Sequence, residues 1–412
     1  MREKKKHVVI LCYSFPPNAG VGGRRWAKFG KYLNRIGYTV EALTVKPNKG
    51  DNKSSYVLDV KQLKVNYYGN KSPTYLSGYT TNVFEKVAYR FILWYRSMVI
   101  KGTPFDLAGL DTNKIIKALS KIHLQRKIDV LIATGAPFHL LFAAALFKQK
   151  YPSINLISDF RDPWISGGNY GIKQLSSEKL AAEVLKEKSV MSYSDTVLVP
   201  VQSMQQDLST KYNLYAHKIK VLAHGYDKDF VKQKNNHCID PNNIRLVYFG
   251  TIYEGCEQHL VFLKELLFKA EGKLQITHFG KLTNEHLNIL HPIIELGFFI
   301  SKPALPENEL FEQLVTFDFA ILFKRMNYGL DHLSTKYHEI IASKIPVFFI
   351  GGAGGASDFI SGNNLGLCVN RFDIDIDDVL LNLKEFRLNT DFVNDELAYN
   401  ELTKQLEKLF VL

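Results

Sequence analysis

Two oppositely charged residues at helical spacing, Lys336 and Glu339, suggest a binding site in the stretch 331–355. Ser334 and Thr335 come just before them and are typical N-cap residues, so the pattern predicts a helix with both charges on one flank. A lysine beside the unpaired N–H groups of a helix start favours a bound anion. Glu339 lies one turn deeper, where a carboxylate would repel that anion but can accept hydrogen bonds from hydroxyl groups. A phosphate close to hydroxyl groups indicates a nucleotide sugar.

Glycine-rich segments follow several predicted strands and would let backbone N–H groups approach a ligand. Gly20, Gly22 and Gly23 follow the first strand, but their spacing is not the dinucleotide G-x-G-x-x-G, and no acidic residue follows the second strand. An NAD site is therefore not expected. A tight turn would account for one of these glycines, whereas a loop facing a diphosphate accounts better for all three. Gly250 and Thr251 repeat the pattern in the second half.

Charged and aromatic residues follow two further buried strands, where ligands gather in parallel α/β sheets. Asp159, Arg161, Asp162 and Trp164 form one such set. Together they suit the binding of a polyhydroxylated acceptor. Alternatively, Asp159, Arg161 and Asp162 form an ion-pair network that only fixes the loop. His139 follows the other strand. It would orient a sugar hydroxyl or move a proton, or it is a helix-start histidine with a local hydrogen bond.

Short apolar runs alternate with helix-like segments along nearly the whole chain. Most runs are β-branched or aromatic with little alternation, which is typical of strands buried on both faces of parallel sheets. Repeated in two halves, this pattern predicts an α/β protein of two Rossmann-like doubly wound parallel-sheet domains. A polar, proline-containing segment at 229–243 breaks the pattern, so we expect an N-terminal domain over 1–235, a C-terminal domain over 236–390 and a final helix over 391–412.

Composition limits the class of protein. The chain has 412 residues, of which 46% are hydrophobic and 23% charged, which fits a globular protein long enough for two domains. No apolar run reaches membrane-spanning length, and the short run at 8–13 is expected to be a strand rather than a targeting segment. The four cysteines are scattered without metal-ligand spacing, so we expect reduced thiols, no metal site and a cytoplasmic location.

Charge is distributed unevenly along the chain. Residues 1–234 carry 37 Lys and Arg against 17 Asp and Glu, a net charge of +20, whereas the remainder carries 15 against 24, a net charge of −9. The first half is therefore expected to meet something anionic, which would be a membrane surface, a nucleic acid or an acidic substrate.

The segment 83–101 departs from the strand and helix alternation. It predicts a helix that interleaves apolar and basic residues, namely Phe84, Phe91, Trp94, Tyr95 and Met98 with Lys86, Arg90, Arg96 and Lys101. Such a helix suits an anionic membrane interface. The alternative is a helix packed on the first domain with a solvated basic flank.

Four motifs together resemble the GT-B glycosyltransferases, specifically glycosyltransferase family 4. They are P-P-x-x-G-V-G-G-R after the first strand, S-D-F-R-D-P-W at 158–164, H-G-Y-D at 224–227 and S-T-K-Y-H-E-I-I-A-S-K-I-P-V at 334–347. The markers follow the family's order from residue 8 to about 370, so the resemblance covers most of the chain. The acid-x7-acid pattern is present as Asp331 and Glu339, with Asp where the family usually has its first Glu.

The resemblance implies two domains that face across a cleft, a C-terminal helix that returns to the first domain, and a donor site in the second. It also implies transfer with retention of configuration and without a bound metal or other cofactor. By this resemblance Glu339 would hold the ribose hydroxyls and Asp331 the sugar. Lys336 and the backbone of Ser334 and Thr335 would bind the diphosphate.

The resemblance also assigns roles in the first domain. Gly22 and Gly23 would close on the diphosphate from that domain. His139, Asp159 and Asp162 would be the catalytic residues that face the acceptor or the sugar.

The chain departs from the family in one loop. Family members often carry an Arg and a Lys for the diphosphate after the first strand of the second domain, whereas this loop, 250–257, has no cation. Arg325, which comes shortly before the 331–355 stretch, or Arg24 would have to substitute for that pair.

We therefore expect a hexosyltransferase-like glycosyltransferase. It would move a sugar from a nucleotide-diphosphate sugar to a glycan or lipid-linked acceptor in surface polysaccharide synthesis. We expect it in the cytoplasm or peripherally on the inner face of the membrane, with no nucleic-acid partner. One alternative is a sugar-nucleotide epimerase of the same fold. The other is a non-enzymatic basic protein that binds a membrane or polyanion.

Overall fold

The computed structural model describes residues 6–17, 21–47, 57–70, 83–168, 170–235, 237–324 and 335–410. The chain divides into two compact units. The first unit comprises Met1–Ala223 and Tyr399–Leu412, and the second comprises His224–Ala398. Arg325, Asp331 and Ser334, predicted as donor-binding residues, lie outside the described residues.

The first unit is built on a parallel sheet. Its strands are β1 (His7–Leu11), β2 (Thr39–Lys46), β3 (Lys64–Asn70), β4 (Val130–Gly135), β5 (Asn155–Phe160), β6 (Thr196–Val199) and β7 (Ile219–Val221). The α-helices described before Ala223 are α1 (Arg24–Arg35), α2 (Val83–Val99), α3 (Thr112–Gln125), α4 (His139–Lys150), α5 (Ser177–Tyr193) and α6 (Gln202–Lys211).

The strands of this 7-stranded sheet lie in the order β3-β2-β1-β4-β5-β6-β7, and every pair is parallel. Strands β1 and β4 are buried along their whole length because helices cover both faces of the sheet. The order of the strands reverses between β1 and β4. At such a reversal the two loops leave in opposite directions and open a crevice at the carboxyl ends of the strands.

The second unit repeats this architecture. Its strands are β8 (Ile244–Phe249), β9 (Leu274–Phe279), β10 (Phe299–Lys302), β11 (Phe319–Phe323), β12 (Val347–Ile350) and β13 (Gly366–Val369). Its α-helices in the described residues are α7 (Glu257–Lys269), α8 (Asn284–Glu295), α9 (Glu307–Leu314), α10 (Thr335–Ala342), α11 (Gly355–Gly362) and α12 (Ile376–Glu385).

This 6-stranded sheet has the order β10-β9-β8-β11-β12-β13 and is also parallel throughout. Alternate residues of β8 enter opposite layers of the core: Leu246 packs in one layer and Val247 in the other. Because both faces are apolar, the strand appears in the sequence as a continuous apolar run. The two sheets confirm the predicted fold class of two Rossmann-like doubly wound parallel-sheet domains.

The last helix, α13 (Tyr399–Glu407), packs on the first unit. The ring of Tyr399 meets Phe29 of α1 edge-on, with ring centroids 5.1 Å apart. Near the other end of α13, the Tyr38 hydroxyl donates a hydrogen bond of 2.8 Å to Glu407. The first unit is therefore completed by residues from the end of the chain.

One strand and one boundary differ from the sequence analysis. Strand β3 lacks the continuous apolar run from which the sequence analysis predicts strands, because it lies at the edge of the sheet, where Lys64 and Tyr67 are exposed. The second unit begins at His224, whereas the predicted break falls within 229–243. The buried Lys234 ammonium explains this difference, because it donates to the Phe317 carbonyl and to Asp318, 3.1 Å away, in the second unit.

Among the described residues, no helix combines the length and the apolar character needed to cross a bilayer.

Replacing Lys234 by Met should lower the free energy of unfolding of the second unit by about 3–5 kcal/mol, because Asp318 would keep a buried charge without its cation. Hydrogen exchange of the β8 and β11 amides in urea measures this unit separately, since two-domain chains seldom unfold in one step. Lys232→Met is the matched control, because Lys232 is exposed. Equal destabilisation by both substitutions would contradict this account.

Candidate functional site

The Lys336 ammonium lies over the carboxyl end of β8 in the second unit. Its Nζ is 4.8 Å from the ring centroid of Tyr248 and 5.4 Å from that of Phe249. A Cβ at Gly250 would lie 2.5 Å from the same Nζ, and Gly250 has a φ of +102°. The positive φ favours glycine, and the missing Cβ leaves room for the ammonium group. The glycine after β8 thus lets the backbone and the ammonium group lie close together.

Neighbouring loops converge on Gly250. A Cβ at Gly280, which follows β9, would overlap the Gly250 carbonyl oxygen. The same oxygen lies 2.9 Å from Nε2 of His278. Burial lowers the pKa of His278 and the charge of Lys336 lowers it further, against the opposing effect of the hydrogen bond to Gly250. A neutral His278 therefore donates Nε2–H to this carbonyl and fixes the loop without adding positive charge.

Helix α10 begins at Thr335, immediately before Lys336. Thr335 and Lys336 are half-buried, whereas Glu339 one turn further on is only 2% exposed. Thr251 is exposed, and its carbonyl accepts a hydrogen bond of 3.3 Å from the Tyr248 hydroxyl. Lys336 and Gly250 are thus brought together by the structure, with the start of α10 beside the end of β8.

In the first unit, the Arg161 guanidinium joins the loops that follow three strands. Its Nε donates 2.9 Å to the Gly135 carbonyl, and Nη2 donates 2.6 Å to the Ala136 carbonyl. A Cβ at Gly22 would lie 2.8 Å from Nη1, and a Cβ at Gly23 would overlap a backbone oxygen of the same loop. Close packing inside the first unit therefore requires glycine at Gly23, where the neighbour is backbone, whereas Gly22 faces the movable end of the Arg161 side chain. Arg161 remains half-buried at the carboxyl edge of the sheet.

Asp159 lies in the interior, with 1% of its surface exposed. Its Oδ2 accepts hydrogen bonds from Trp26 at 2.7 Å and from Thr134 at 2.8 Å, and its Oδ1 lies 3.6 Å from Nε of Arg25. This carboxylate is therefore satisfied by its own unit, but by Trp26, Thr134 and Arg25 rather than by Arg161, which donates to backbone carbonyls. Asp162 differs, since it is half-buried and accepts a hydrogen bond of 3.3 Å from the exposed Tyr170.

Trp164 and His139 meet at a buried glutamate, Glu183. The Trp164 indole is fully buried, stacks on Phe138 with ring centroids 4.9 Å apart, and donates 2.9 Å to Glu183. Nε2 of His139 lies 3.1 Å from the other carboxylate oxygen, which also accepts from Lys186 at 3.0 Å. Trp164 is thus part of the core and offers no open face for stacking an acceptor.

The charges around Glu183 hold it ionised. Burial raises the pKa of this carboxyl, but the hydrogen bonds and positive charges of His139 and Lys186 outweigh burial and lower the pKa to about 2. Sequence reasoning missed Glu183 because it looks like an ordinary polar residue of a helix. Its burial arises only when α5 packs beside the loops after β4 and β5.

Among the residues that the structure describes, no three His, Cys, Asp or Glu side chains lie close enough together to hold a metal ion. The metal-free site expected from the sequence stays a prediction.

No protein-family model and no curated protein matches the chain. Several solved structures are similar to it. Sucrose-phosphate synthase from Thermosynechococcus elongatus has a TM-score of 0.60 at 12% identity, covering 98% of each chain. The catalytic domain of starch synthase IV from Arabidopsis thaliana, bound to ADP and acarbose, has a TM-score of 0.57 at 14% identity, covering 98% of this chain and 99% of that one.

A third similar structure is UDP-GlcNAc 2-epimerase from Neisseria meningitidis bound to UDP-GlcNAc. Its TM-score is 0.53 at 10% identity, covering 98% of each chain. At these identities the likeness establishes the fold, and it confirms the predicted GT-B fold. Membership of family 4 stays a prediction.

Glu183→Gln should remove a stabilisation of about 3 kcal/mol at neutral pH, the size that corresponds to the lowered pKa. Because the pKa in the folded state is depressed from 4.5 to about 2, the contribution is complete above pH 4.5 and is lost as pH falls toward 2. Urea unfolding followed by tryptophan emission, whose three sources all lie in the first unit, should show the difference in free energy between the two proteins narrowing as acid is added.

Glu178→Gln on the same helix is the control, because Glu178 is exposed. A difference between wild type and Glu183→Gln that stayed constant from neutral pH to pH 2 would contradict the assigned charge state.

Proposed function

We propose that this protein is a glycosyltransferase that moves a sugar from a nucleotide-diphosphate sugar to a glycan or lipid-linked acceptor. The observation that carries the proposal is the position of the Lys336 ammonium at the start of α10, over Gly250. A fixed cation and a helix start are two features that favour a diphosphate, and Gly250 leaves room for that cation at the strand end. They meet where the strand order of the second sheet reverses, beside β8.

The fold supports a donor that combines a nucleotide with a sugar. One structure of this fold is a starch synthase bound to ADP and acarbose, and another is an epimerase bound to UDP-GlcNAc. In this chain we assign the diphosphate to Lys336 with Thr335, and the ribose hydroxyls to Glu339. Arg325, Asp331 and Ser334 belong to the same assignment through the resemblance.

The chemistry follows from the charge that develops as the sugar leaves. The departing diphosphate gains negative charge in the transition state, and a pre-positioned ammonium with helix N–H groups stabilises that charge. In this proposal Lys336 does so without a metal ion. Retention of configuration and a hexose as the transferred sugar follow from the resemblance to family 4.

We place acceptor binding on the first unit, at the carboxyl edge of its sheet. Arg161 and Asp162 are half-buried there, so both retain surface for an acceptor hydroxyl. Asp159 would act by holding Arg25 and Trp26 in place rather than by touching the substrate. His139 is only 2% exposed and its Nε2 is held by Glu183, so like Asp159 it would position its neighbours rather than touch the substrate. We propose a cytoplasmic enzyme of surface polysaccharide synthesis.

Lys336→Ala should lower donor turnover at least about 100-fold, the usual cost of removing one group that stabilises transition-state charge. Glu339→Gln should mainly weaken donor binding, because it removes the charged acceptor for hydroxyl groups. Nucleotide release with a panel of sugar nucleotides measures the first effect, and titration calorimetry measures the second.

Lys281→Ala is the matched control, since Lys281 is an exposed lysine that follows the neighbouring strand β9. Circular dichroism would check that each variant folds. If Lys336→Ala and Glu339→Gln both matched wild type in turnover and affinity, the donor site would lie elsewhere.

A sugar-nucleotide epimerase is the second candidate, because an epimerase shares this fold. A transferase releases nucleotide only when an acceptor is present. An epimerase converts the sugar nucleotide with no acceptor, and its product is again a sugar nucleotide.

A further inference from the structure

Helix α2 of the first unit exposes its apolar side chains to solvent. Phe84 is 87% exposed, Phe91 63%, Trp94 56% and Met98 69%, while the buried residue of this helix is Arg96. A surface helix normally buries its apolar stripe and exposes its charges. In α2 this relation is inverted.

The exposed apolar residues form one continuous stripe. At 100° per residue the side chains fall within an arc of roughly 100°. The residues on this arc are Phe84, Val87, Phe91, Trp94, Tyr95 and Met98. Contiguous apolar patches of this kind on a protein surface mark an interaction site.

The opposite side of α2 is anchored to the first unit through its carboxyl-terminal end. Nε of Arg96 donates 2.7 Å to the Pro104 carbonyl, and Nη2 donates to the Asp106 carbonyl. Lys179 of α5 donates to the Ser97 carbonyl. These bonds fix the orientation of the helix and keep the apolar stripe turned outward. Arg96, which the sequence analysis groups with the basic flank, is internal and unavailable to a ligand.

Cations border the stripe. Lys86, Arg90 and Lys101 are exposed, and Glu85 is the acidic residue of the segment 83–101. The stripe thus combines aromatic and sulfur-containing side chains with a positive rim, in a half of the chain that carries a net charge of +20 over residues 1–234.

We propose that α2 lies in the interface of a lipid bilayer with anionic headgroups, with its stripe inserted among the acyl chains. Aromatic side chains favour the depth of the headgroups, and lysine and arginine favour anionic lipids. A second copy of this chain fits the surface less well, because two such helices would bring positive rims together with little negative charge between them. This proposal is independent of the proposed transferase activity.

The test is co-sedimentation of the full chain with vesicles in the absence of any nucleotide. We expect binding to vesicles of phosphatidylcholine with about one-third phosphatidylglycerol, and much weaker binding to phosphatidylcholine alone. Trp26 and Trp164 are buried and Trp94 is exposed, so a blue shift of tryptophan emission on binding reports α2. Trp94→Phe should abolish the shift.

Two variants separate insertion of the apolar stripe into the bilayer from electrostatic attraction to anionic lipid. The triple variant Phe91→Ser, Trp94→Ser and Met98→Ser should lower partitioning roughly tenfold or more on any vesicle. The double variant Lys86→Glu and Arg90→Glu should remove the preference for anionic lipid. Both sets of positions are exposed, so the fold should be unaffected.

Matched controls lie on other helices of the same unit. Leu124→Ser and Leu185→Ser remove apolar side chains that are 80% and 67% exposed, and Lys117→Glu with Lys121→Glu makes the same change of charge on α3. These controls should bind as wild type does.

Three results would overturn the proposal. One is unchanged vesicle binding by the Phe91, Trp94 and Met98 triple variant. Another is equal loss of binding in the controls, since any basic surface would then suffice. The last is absence of vesicle binding by the wild type; a wild-type dimer that this triple variant converts to monomer in sedimentation velocity would then assign the stripe to a second copy.

Discussion

Both sheets are parallel throughout, and this constraint places the loops that follow the strands of each unit at one edge of its sheet. Loops that share an edge approach one another closely. Around β8 this approach brings the Gly250 carbonyl under Gly280 and beside His278, with the Lys336 ammonium above. Around β1 it brings the backbone of Gly22 against the Arg161 guanidinium. Packing against backbone thus requires glycine at Gly23 and Gly280, while Gly22 and Gly250 lie against the ends of charged side chains.

Burying charge without partners is costly, and this cost divides the polar residues of the first unit into two groups. Asp159 and Glu183 lie in the interior, and each is surrounded by donors from other elements. Their role is to hold loops and side chains in one arrangement. Arg161 and Asp162 are at the edge and keep exposed surface. A substrate would meet the second group, whose positions are set by the first.

The cost of burying a charge without partners also bears on the surface of α2, whose buried residue is a charged arginine. Helix α4, whose residues are mostly apolar, is buried almost along its whole length between the sheet and its neighbours. Helix α2 has comparable apolar content, but the residue that it buries is Arg96, which is hydrogen-bonded to the first unit. Its apolar side chains are therefore left for a partner outside the unit. Helices α4 and α2 have similar apolar content and differ in what they pack against.

The sequence by itself determined the two α/β halves, because strands buried on both faces of a parallel sheet must be continuous apolar runs. It also determined the helix of Lys336 and Glu339, since N-cap residues and spacing are local signals. Tertiary structure alone decided the rest. Glu183 became the partner of His139 and Trp164, Lys234 joined the second unit, and Arg96 turned inward. Each of these depends on a partner distant in sequence or on burial, which no local pattern records. Edge strand β3 lacks an apolar pattern because only part of it is buried.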